Sequence, residues 1–474
     1  MRLIIEARID GDVDASMPIS LGVIERSDND LTPGTLGLSL QEGREVLRRI
    51  QEATVAAQTA RWLAGRSKCP ECGIELSRKD NGTIVCRTVF GKVRLNSPRF
   101  RQCCCLTPSW CPFGFTFSPM AAALRQRVTG ELEQLQVEWA AQLPYRSAVR
   151  LLRQILPLTD AISVSGTRNR VLAVGQELDD QSERLIENLP SARRPGVECP
   201  RMSVVAIDSV WLKHREYRRM QGRQLNVVAG RATSTEGGTS LYGYVTRRVS
   251  SGAKRLDLFL SQQGVRPNER VTAITDGACE FDVAAAGSAL TGVRVLDWFH
   301  IAMKFRAVQM SALMLSLQSP ARWRPIERSL NAAKWLVWHG KAQTALARLQ
   351  AILDIIKATP RPKQDTSTLI LNVGKLLGYL QLNERYLVPY AARHRAGLPI
   401  SSATAESAVN ELVSMRMAKR RQMRWSEEGA HLLVQVRAAV LNGTLRPRER
   451  PKPWSRDTES ERCYVDSEWE MEAA

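Results

Sequence analysis

The chain has 474 residues, and its 67 lysines and arginines outnumber its 48 acidic residues, which gives a formal net charge of +19. Hydrophobic residues make up 44% of it, which excludes a disordered protein, and the length predicts about three domains at roughly 150 residues each. No uncharged apolar run reaches the roughly 18 residues of a membrane-spanning helix. The excess positive charge predicts a polyanionic partner, with nucleic acid ahead of an anionic membrane surface.

The N-terminal region, residues 1–66, is predicted to form a short strand and a helix. Helical spacing of apolar residues over 42–64 indicates the helix. The first residues lack the apolar core of a secretion signal, because Arg2, Glu6 and Arg8 interrupt it. We therefore expect a cytoplasmic protein.

A cysteine cluster follows, within a predicted zinc-binding module at 67–119. Seven of the ten cysteines lie between Cys69 and Cys111, which indicates a metal site rather than a disulfide scaffold, with buried free thiols as the alternative. Cys69 and Cys72 have the spacing at which two thiolates hold one zinc ion. The second pair must come from Cys103, Cys104, Cys105 or Cys111. We favour Cys103 and Cys105, with Cys111 as the main rival, and expect a β-hairpin between the two pairs, as in a zinc ribbon, with a strand at 88–95 and a turn at 97–98.

Residues 120–190 carry helical periodicity throughout. A helix over 145–156 is followed by one that begins near residue 163 and carries Arg168 and Arg170 in its first turns. Two short helices with a tight connection, the second starting polar and basic, predict a helix-turn-helix DNA-binding region in which both arginines contact DNA. A plain helical linker is the alternative.

The sequence pattern changes from helical to α/β after a loop at 189–201 that is rich in proline and arginine. Five β-rich runs follow, with helices before the fourth and the fifth: 203–208, 225–232, 240–246, 270–276 and 293–300. This order predicts an α/β fold with a mixed sheet over 201–300. An all-α insertion at 301–398, further core helices at 399–445 and a disordered tail at 446–474 complete the predicted organisation.

Three acidic residues of the α/β region lie at the end of a strand or after the helical insertion. Asp208 ends the first strand, Asp276 ends the fourth, and Glu406 follows the helical insertion. A carboxylate at the carboxyl end of a parallel strand points into the crevice where open α/β sheets bind ligands. Converging carboxylates repel one another unless divalent cations lie between them, and two such ions about 3.5–4 Å apart suit in-line displacement at phosphorus. Asp297 is a rival ligand, and His300 either orients a phosphate or is a satisfied strand-end histidine.

Several segments, taken in order, carry a more specific pattern. They are Thr88–Gly91, Ser97–Phe100, Thr275–Ala278, Leu296–His300, Ala396–Ser407, Arg416–Lys419, Met423–Ser426 and Asn442–Gly443. The order of elements is that of ribonuclease-H-like nucleotidyl transferases, and over about residues 40–445 the chain resembles the DDE transposases of bacterial insertion sequences. The ISKra-type branch, which is related to the ISL-type, is the one it resembles most.

The resemblance implies that Asp208, Asp276 and Glu406 hold two Mg²⁺ (or Mn²⁺) ions. It also implies cleavage and strand transfer of double-stranded DNA at the ends of an insertion sequence, with a homo-oligomer during synapsis. Basic residues after the third acid are expected to contact DNA from a helix, with a solvated charged face as the alternative: Arg416, Lys419, Arg420 and Arg424.

Two other functions stay open. The stretch Ser401–Ala405 replaces the glycine-rich pattern that usually precedes the third acid, which is compatible with a decayed or domesticated transposase that acts as a DNA-binding protein. A metal-dependent DNA nuclease that does not join strands is the other alternative.

Overall fold

A computed structural model describes most of the chain. The described residues are 1–9, 18–29, 31–105, 116–158, 160–189, 196–216, 223–277, 279–358, 366–401, 407–417 and 424–446, without the side chains of 279–282. They form a first compact unit that includes residues 1–171 and a second unit, Leu172–Thr444. None of the described helices combines the length and the apolar character needed to cross a membrane.

The first unit combines two antiparallel sheets with helices. Its elements are β1 (Arg2–Ala7), β2 (Ile19–Glu25), α1 (Leu40–Ala64), β3 (Arg78–Thr88), β4 (Gly91–Arg101), β5 (Thr116–Phe117), α2 (Pro119–Ala123), α3 (Gly130–Gln142), α4 (Tyr145–Ile155) and the first residues of α5 (Val164–Glu187), whose residues from Leu172 onward belong to the second unit. Helix α1 begins where the sequence provides a capping box, because Ser39 accepts the N–H of Glu42 and the Glu42 side chain accepts the N–H of Ser39.

The hairpin of β3 and β4 corrects one sequence expectation. The turn lies at residues 89–90, between Thr88 and Gly91, and Ser97 and Pro98 lie inside β4 rather than in a turn. Gly91 has φ +113°, a conformation that only glycine adopts readily. Gly91 therefore favours a turn just before it, whereas the sequence pattern predicted the turn at Ser97 and Pro98.

Helices α3 and α4 and the segment between α4 and α5 share a small core with the turn of the hairpin. Val89 packs there with buried side chains of the helical segment: Leu132, Val149, Leu152, Leu158, Ala161 and Ile162. Helix α4 ends at Ile155 and α5 begins at Val164, so the connection is longer than the tight turn expected from the sequence. The helix-turn-helix assignment stays a prediction.

The second unit contains a mixed sheet, as the sequence predicted. Its strands and flanking helices are β6 (Val197–Glu198), β7 (Met202–Lys213), β8 (Gln224–Ser234), β9 (Thr239–Val245), α6 (Gly252–Gln262), β10 (Glu269–Thr275), α7 (Cys279–Gly287) and β11 (Thr291–Leu296). The strand order is β11-β10-β7-β8-β9, and β6 adds a short pairing to β10. β8 is antiparallel to β7 and β9, whereas β10 is parallel to both β7 and β11.

Helices follow β11 along the chain. They are α8 (Trp298–Gln318), α9 (Pro320–Trp338), α10 (Ala342–Ala358), α11 (Ser367–Leu382), α12 (Tyr390–Arg395) and, closing the unit, α13 (Glu427–Leu441). Their core is continuous with one face of the sheet, since Phe305 and Trp323 share a buried cluster with Ile274 and Val295. A helical stretch at 407–417 contains a π-helical turn, Asn410–Ser414.

Candidate functional site

Three aspartates lie level with one another on neighbouring parallel strands. In the register of the sheet, Thr275 of β10 pairs with Ile207 of β7 on one side and with Leu296 of β11 on the other. The next residue on each strand path is an aspartate: Asp208, Asp276 and Asp297. The three acids therefore share one edge of the parallel part of the sheet, the edge at which open α/β sheets bind ligands.

Asp208 differs from its sequence prediction in one respect. It does not end its strand, because β7 continues to Lys213 and pairs with β8 along that whole length. Asp208 instead marks the point where the pairing between β7 and β10 stops. Its side chain is half-buried, and its Oδ1 accepts the backbone N–H of Ser209 at 2.7 Å.

Asp276 is held in place through its backbone. Its carbonyl oxygen accepts the hydroxyl of Tyr379, from α11, at 2.7 Å. The next residue, Gly277, has φ +88°, and a Cβ at this position would lie 2.6 Å from Oδ1 of the buried Asn383. Only glycine allows both the backbone angle and the close approach, so the direction in which the chain leaves Asp276 is fixed.

Asp297 is fully buried and orients the start of α8. Its Oδ1 accepts the backbone N–H of Phe299 at 2.8 Å, and its Oδ2 accepts Nδ1–H of His300 at 2.7 Å. Both carboxylate oxygens are therefore engaged within the chain. This environment fits a residue that positions His300 better than it fits a metal ligand.

His300 faces the same acids as a group. Its pKa is raised above the usual value of 6.5, first by the hydrogen bond to Asp297, against the opposing effect of burial. The negative charges of Asp297, Asp276 and Asp208 raise the pKa further. Because the charges of all three carboxylates act on its imidazole, His300 lies close to the same edge of the sheet.

Three residues near this edge were not predicted from the sequence, two of them on helices and one, Arg294, on β11. Burial raises the pKa of Tyr379, and the charges of Asp276 and Asp297 raise it further. Lys304 is exposed and holds its Nζ 4.3 Å from the centroid of the Tyr379 ring. Arg294 donates from Nε to Thr275 Oγ1 at 3.0 Å. Of these, only Lys304 had a usable signal, because it lies one helical turn beyond His300 on α8.

The donor set suits hard divalent cations. Asp208 and Asp276 offer carboxylate oxygens, which Mg²⁺ and Mn²⁺ prefer. Glu406, the third predicted ligand, lies outside the described residues. Within the part of the chain that the structure describes, the group of three or more possible metal ligands whose ligand atoms all lie within 4.8 Å of one another consists of the four cysteines described below.

The four cysteines favoured from the sequence form one cluster: Cys69, Cys72, Cys103 and Cys105. The Sγ atoms of Cys69 and Cys105 lie 3.4 Å apart, as do those of Cys72 and Cys103. A tetrahedral site with Zn–S bonds of about 2.3 Å places its sulfurs about 3.8 Å apart, so this group could hold a structural metal such as zinc. Cys111 lies outside the described residues.

Backbone amides point at the sulfurs of this cluster. The pKa of Cys69 is lowered, first by the N–H of Cys72, and the pKa of Cys103 is lowered to about 6, first by the N–H of Cys105. Gly73, with φ +70°, closes the turn after the first pair, and its N–H donates to the carbonyl of Cys69. Thiolate is the form that binds metal, so these N–H groups favour the ligand state.

The predicted DNA contacts have different environments. Arg168 is exposed on α5, whereas Arg170 is half-buried and its pKa is lowered by burial, with the charge of Glu133 opposing this. Arg416 is fully buried, with its guanidinium carbon 5.6 Å from the centroid of the Trp425 ring. Lys419 and Arg420 lie outside the described residues.

Arg424 does not lie on the helical face predicted from its spacing to Arg416. Arg424 is exposed but not helical, because Trp425 forms a β-bridge with His214 and exchanges backbone hydrogen bonds with Lys213 and Arg215. An extended backbone at this point cannot continue the helical spacing. The burial of Arg416 also leaves its guanidinium away from solvent.

Comparisons with known proteins add little to this geometry. No family model matches the sequence, and no curated protein is similar to it. Among solved structures, the chain is similar to a Drosophila P element transposase strand transfer complex, with 11% identity and a TM-score of 0.23 over 68% of this chain and 83% of that chain. This TM-score is too low for the match to establish either the fold family or the function of the chain.

Proposed function

We propose that the chain is a DNA transposase that cleaves and joins DNA strands at one carboxylate site. The observation that carries the proposal is the register that brings Asp208 and Asp276 side by side on neighbouring parallel strands. The order of the strands and the helices between β11 and the region of Glu406 agree with the ribonuclease-H-like arrangement that the sequence resemblance implies. The net charge of +19 suits a protein whose substrate is a polyanion.

In this proposal Asp208, Asp276 and Glu406 hold two divalent cations. Such ions, when bound, supply activation of the attacking oxygen and stabilisation of the charge that develops on the leaving oxygen. Tyr379 and Gly277 keep the backbone of Asp276 in position, which limits the movement of its carboxylate. Asp297 holds His300 so that its imidazole faces the same edge, where it can contact a phosphate of the DNA.

The reaction would take two displacements at phosphorus. In the first, water attacks the phosphorus at the end of the element and the P–O3′ bond breaks, which leaves a 3′-OH on the element. In the second, that 3′-OH attacks a phosphodiester of target DNA, and the 3′-oxygen of the target leaves. Both steps use the same in-line geometry, so one carboxylate site serves both.

The test uses the full chain and a supercoiled plasmid that carries its gene with flanking DNA on both sides. With Mg²⁺ we expect cut and joined products from the natural protein. Asp208→Asn and Asp276→Asn should each reduce cleavage roughly a thousandfold, since several kcal/mol of charge stabilisation would be lost, while DNA binding stays. Asp354→Asn, which removes an exposed carboxylate on α10, is the matched control and should cleave normally.

Each other outcome has a clear meaning. Cleavage by Asp276→Asn at the natural rate would refute the assignment of the site. Binding without cleavage by the natural protein would favour the decayed or domesticated transposase. Cleavage without joined products would favour the nuclease.

A further inference from the structure

The outer face of the β3–β4 hairpin is exposed and basic. Along Gly91–Arg101, buried and exposed residues alternate at first, with Val93 and Leu95 buried and Lys92 and Arg94 exposed. The buried side packs with residues of α1, among them Val55 and Trp62. One face of the hairpin is thus buried in the interior of the first unit, and the other is exposed to solvent.

Charge on the exposed face has one sign. Residues 81–101 contain five basic residues and no acidic ones. In the register of the hairpin, Arg87 lies directly opposite Lys92, and Arg94 follows on the same face. Like charges that face each other across two strands destabilise a hairpin. Folding alone does not explain this pairing, whereas an anionic partner would offset it.

A further arginine extends this surface along the edge of β3. The carbonyl of the exposed Arg127 accepts the backbone N–H of Arg87, which places the backbone of Arg127 beside β3. We name the set Arg87, Lys92, Arg94 and Arg127 the ribbon face. Among the described residues, no carboxylate forms an ion pair with any of the four. Arg99, which does pair with Asp80, is not part of it.

The hairpin is fixed at both ends. The four clustered cysteines lie just before β3 and just after β4, where the two strands open. At the other end, Val89 of the turn is buried in the core that α3 and α4 share. A surface held at both ends loses little conformational entropy when it binds.

We infer that the ribbon face binds the phosphate backbone of double-stranded DNA. This inference rests on the proposed function, which makes DNA the substrate, and it assigns DNA binding to residues other than those of the carboxylate site. A two-stranded ribbon has the dimensions that the major groove admits, and unpaired lysine and arginine side chains are the groups that neutralise phosphates. Arg168, exposed on α5 of the same unit, carries charge of the same sign.

The experiment measures binding of the full chain to a 30-base-pair duplex of arbitrary sequence over a series of salt concentrations. The slope of log K against log salt is negative, and in Lys92→Gln/Arg94→Gln we expect it to become shallower by about 1.8, since each phosphate contact contributes about 0.9. At about 0.1 M salt this corresponds to a loss of affinity of roughly tenfold to a hundredfold. Arg348→Gln/Lys357→Gln makes the same change of charge on exposed residues of α10 and should leave the slope unchanged.

A second variant protects the test against misfolding of the hairpin. Arg127→Gln lies outside the strands and should make the slope shallower by about 0.9. Metal content and thermal unfolding are compared for all variants. An unchanged slope in both variants would overturn the inference. Tighter, hairpin-dependent binding of an RNA duplex of the same sequence would overturn the choice of DNA.

The result also separates this inference from the proposed function. If Lys92→Gln/Arg94→Gln loses binding as expected but the natural protein never cleaves, the ribbon face stands and the catalytic proposal fails. If that variant binds normally while Asp276→Asn abolishes cleavage, the catalytic proposal stands and the ribbon face fails.

Discussion

Replacing Asp297 tests whether this buried carboxylate positions and charges His300. Asp297→Asn keeps an oxygen that can accept the N–H of Phe299, and asparagine caps helices about as well as aspartate. It removes the negative charge that faces Nδ1 of His300. We therefore expect the pKa of His300 to fall, since the hydrogen bond to Asp297 is the largest cause of its rise.

The cost in stability should depend on pH. Because the pKa of His300 is raised in the folded chain, the pair stabilises the fold fully below the unfolded value of about 6.5, and this contribution is lost as the pH rises through the folded pKa. A hydrogen bond to a charged group is worth about 1.5–3 kcal/mol. Asp297→Asn should lose up to this amount near pH 6 and much less near pH 9. Asp297→Ala also loses the cap, about 0.5–2 kcal/mol more, at every pH.

The assay is a titration of the histidine ring protons by NMR, combined with urea unfolding at the two pH values. The chain has five histidines, few enough to assign His300 by comparison with His300→Gln. A titration midpoint of His300 that is the same in Asp297→Asn as in the natural protein would refute the reasoning. So would a destabilisation that does not change between pH 6 and pH 9.

Two further changes test the metal cluster and the turn after Asp276. Cys72→Ser should abolish binding of one Zn²⁺ per chain and lower the midpoint of thermal unfolding, because Cys72 is one of four clustered thiols. The control Cys104→Ser, outside the cluster, should keep the metal. Equal metal content in the two variants would contradict this. Gly277→Ala should destabilise the chain by about 1–3 kcal/mol, because the backbone φ of residue 277 is +88° and an added Cβ would crowd Asn383. Gly374→Ala, in an uncrowded turn of α11, should instead stabilise the chain by about 0.5–1 kcal/mol.

Short-range patterns of the sequence were enough to predict the elements of the sheet. Runs such as Val204–Ile207 are buried on both sides of a strand, and such runs are visible as continuous apolar stretches. The mixed α/β sheet predicted from them is confirmed by the strand pairing. The roles of Asp208, Asp276 and Glu406 stay predictions, although the register does bring the first two together.

Contacts made by residues far apart in the chain could not be predicted in this way. Tyr379 binds the carbonyl of Asp276 from 103 residues away, and no local periodicity records which helix will reach that strand. Arg416 and Arg424 illustrate a second limit of local patterns. Their spacing fits one face of a helix, but Arg424, next to the pairing of Trp425 with His214, is not helical. Helical spacing alone does not reveal where tertiary contacts interrupt a helix.

The basic surplus shows most clearly what a local pattern can and cannot decide. A count of charges predicts an anionic partner but not the surface that meets it. In a helix, a basic residue can lie on the buried side, as Arg416 does, because side chains point in all directions around the axis. In a strand, side chains have only two directions, so the burial of Val93 and Leu95 leaves Lys92 and Arg94 on the opposite face. The alternation over 92–95, together with the absence of acids from 81–101, is therefore the stronger sequence indication of a phosphate-binding surface in this chain.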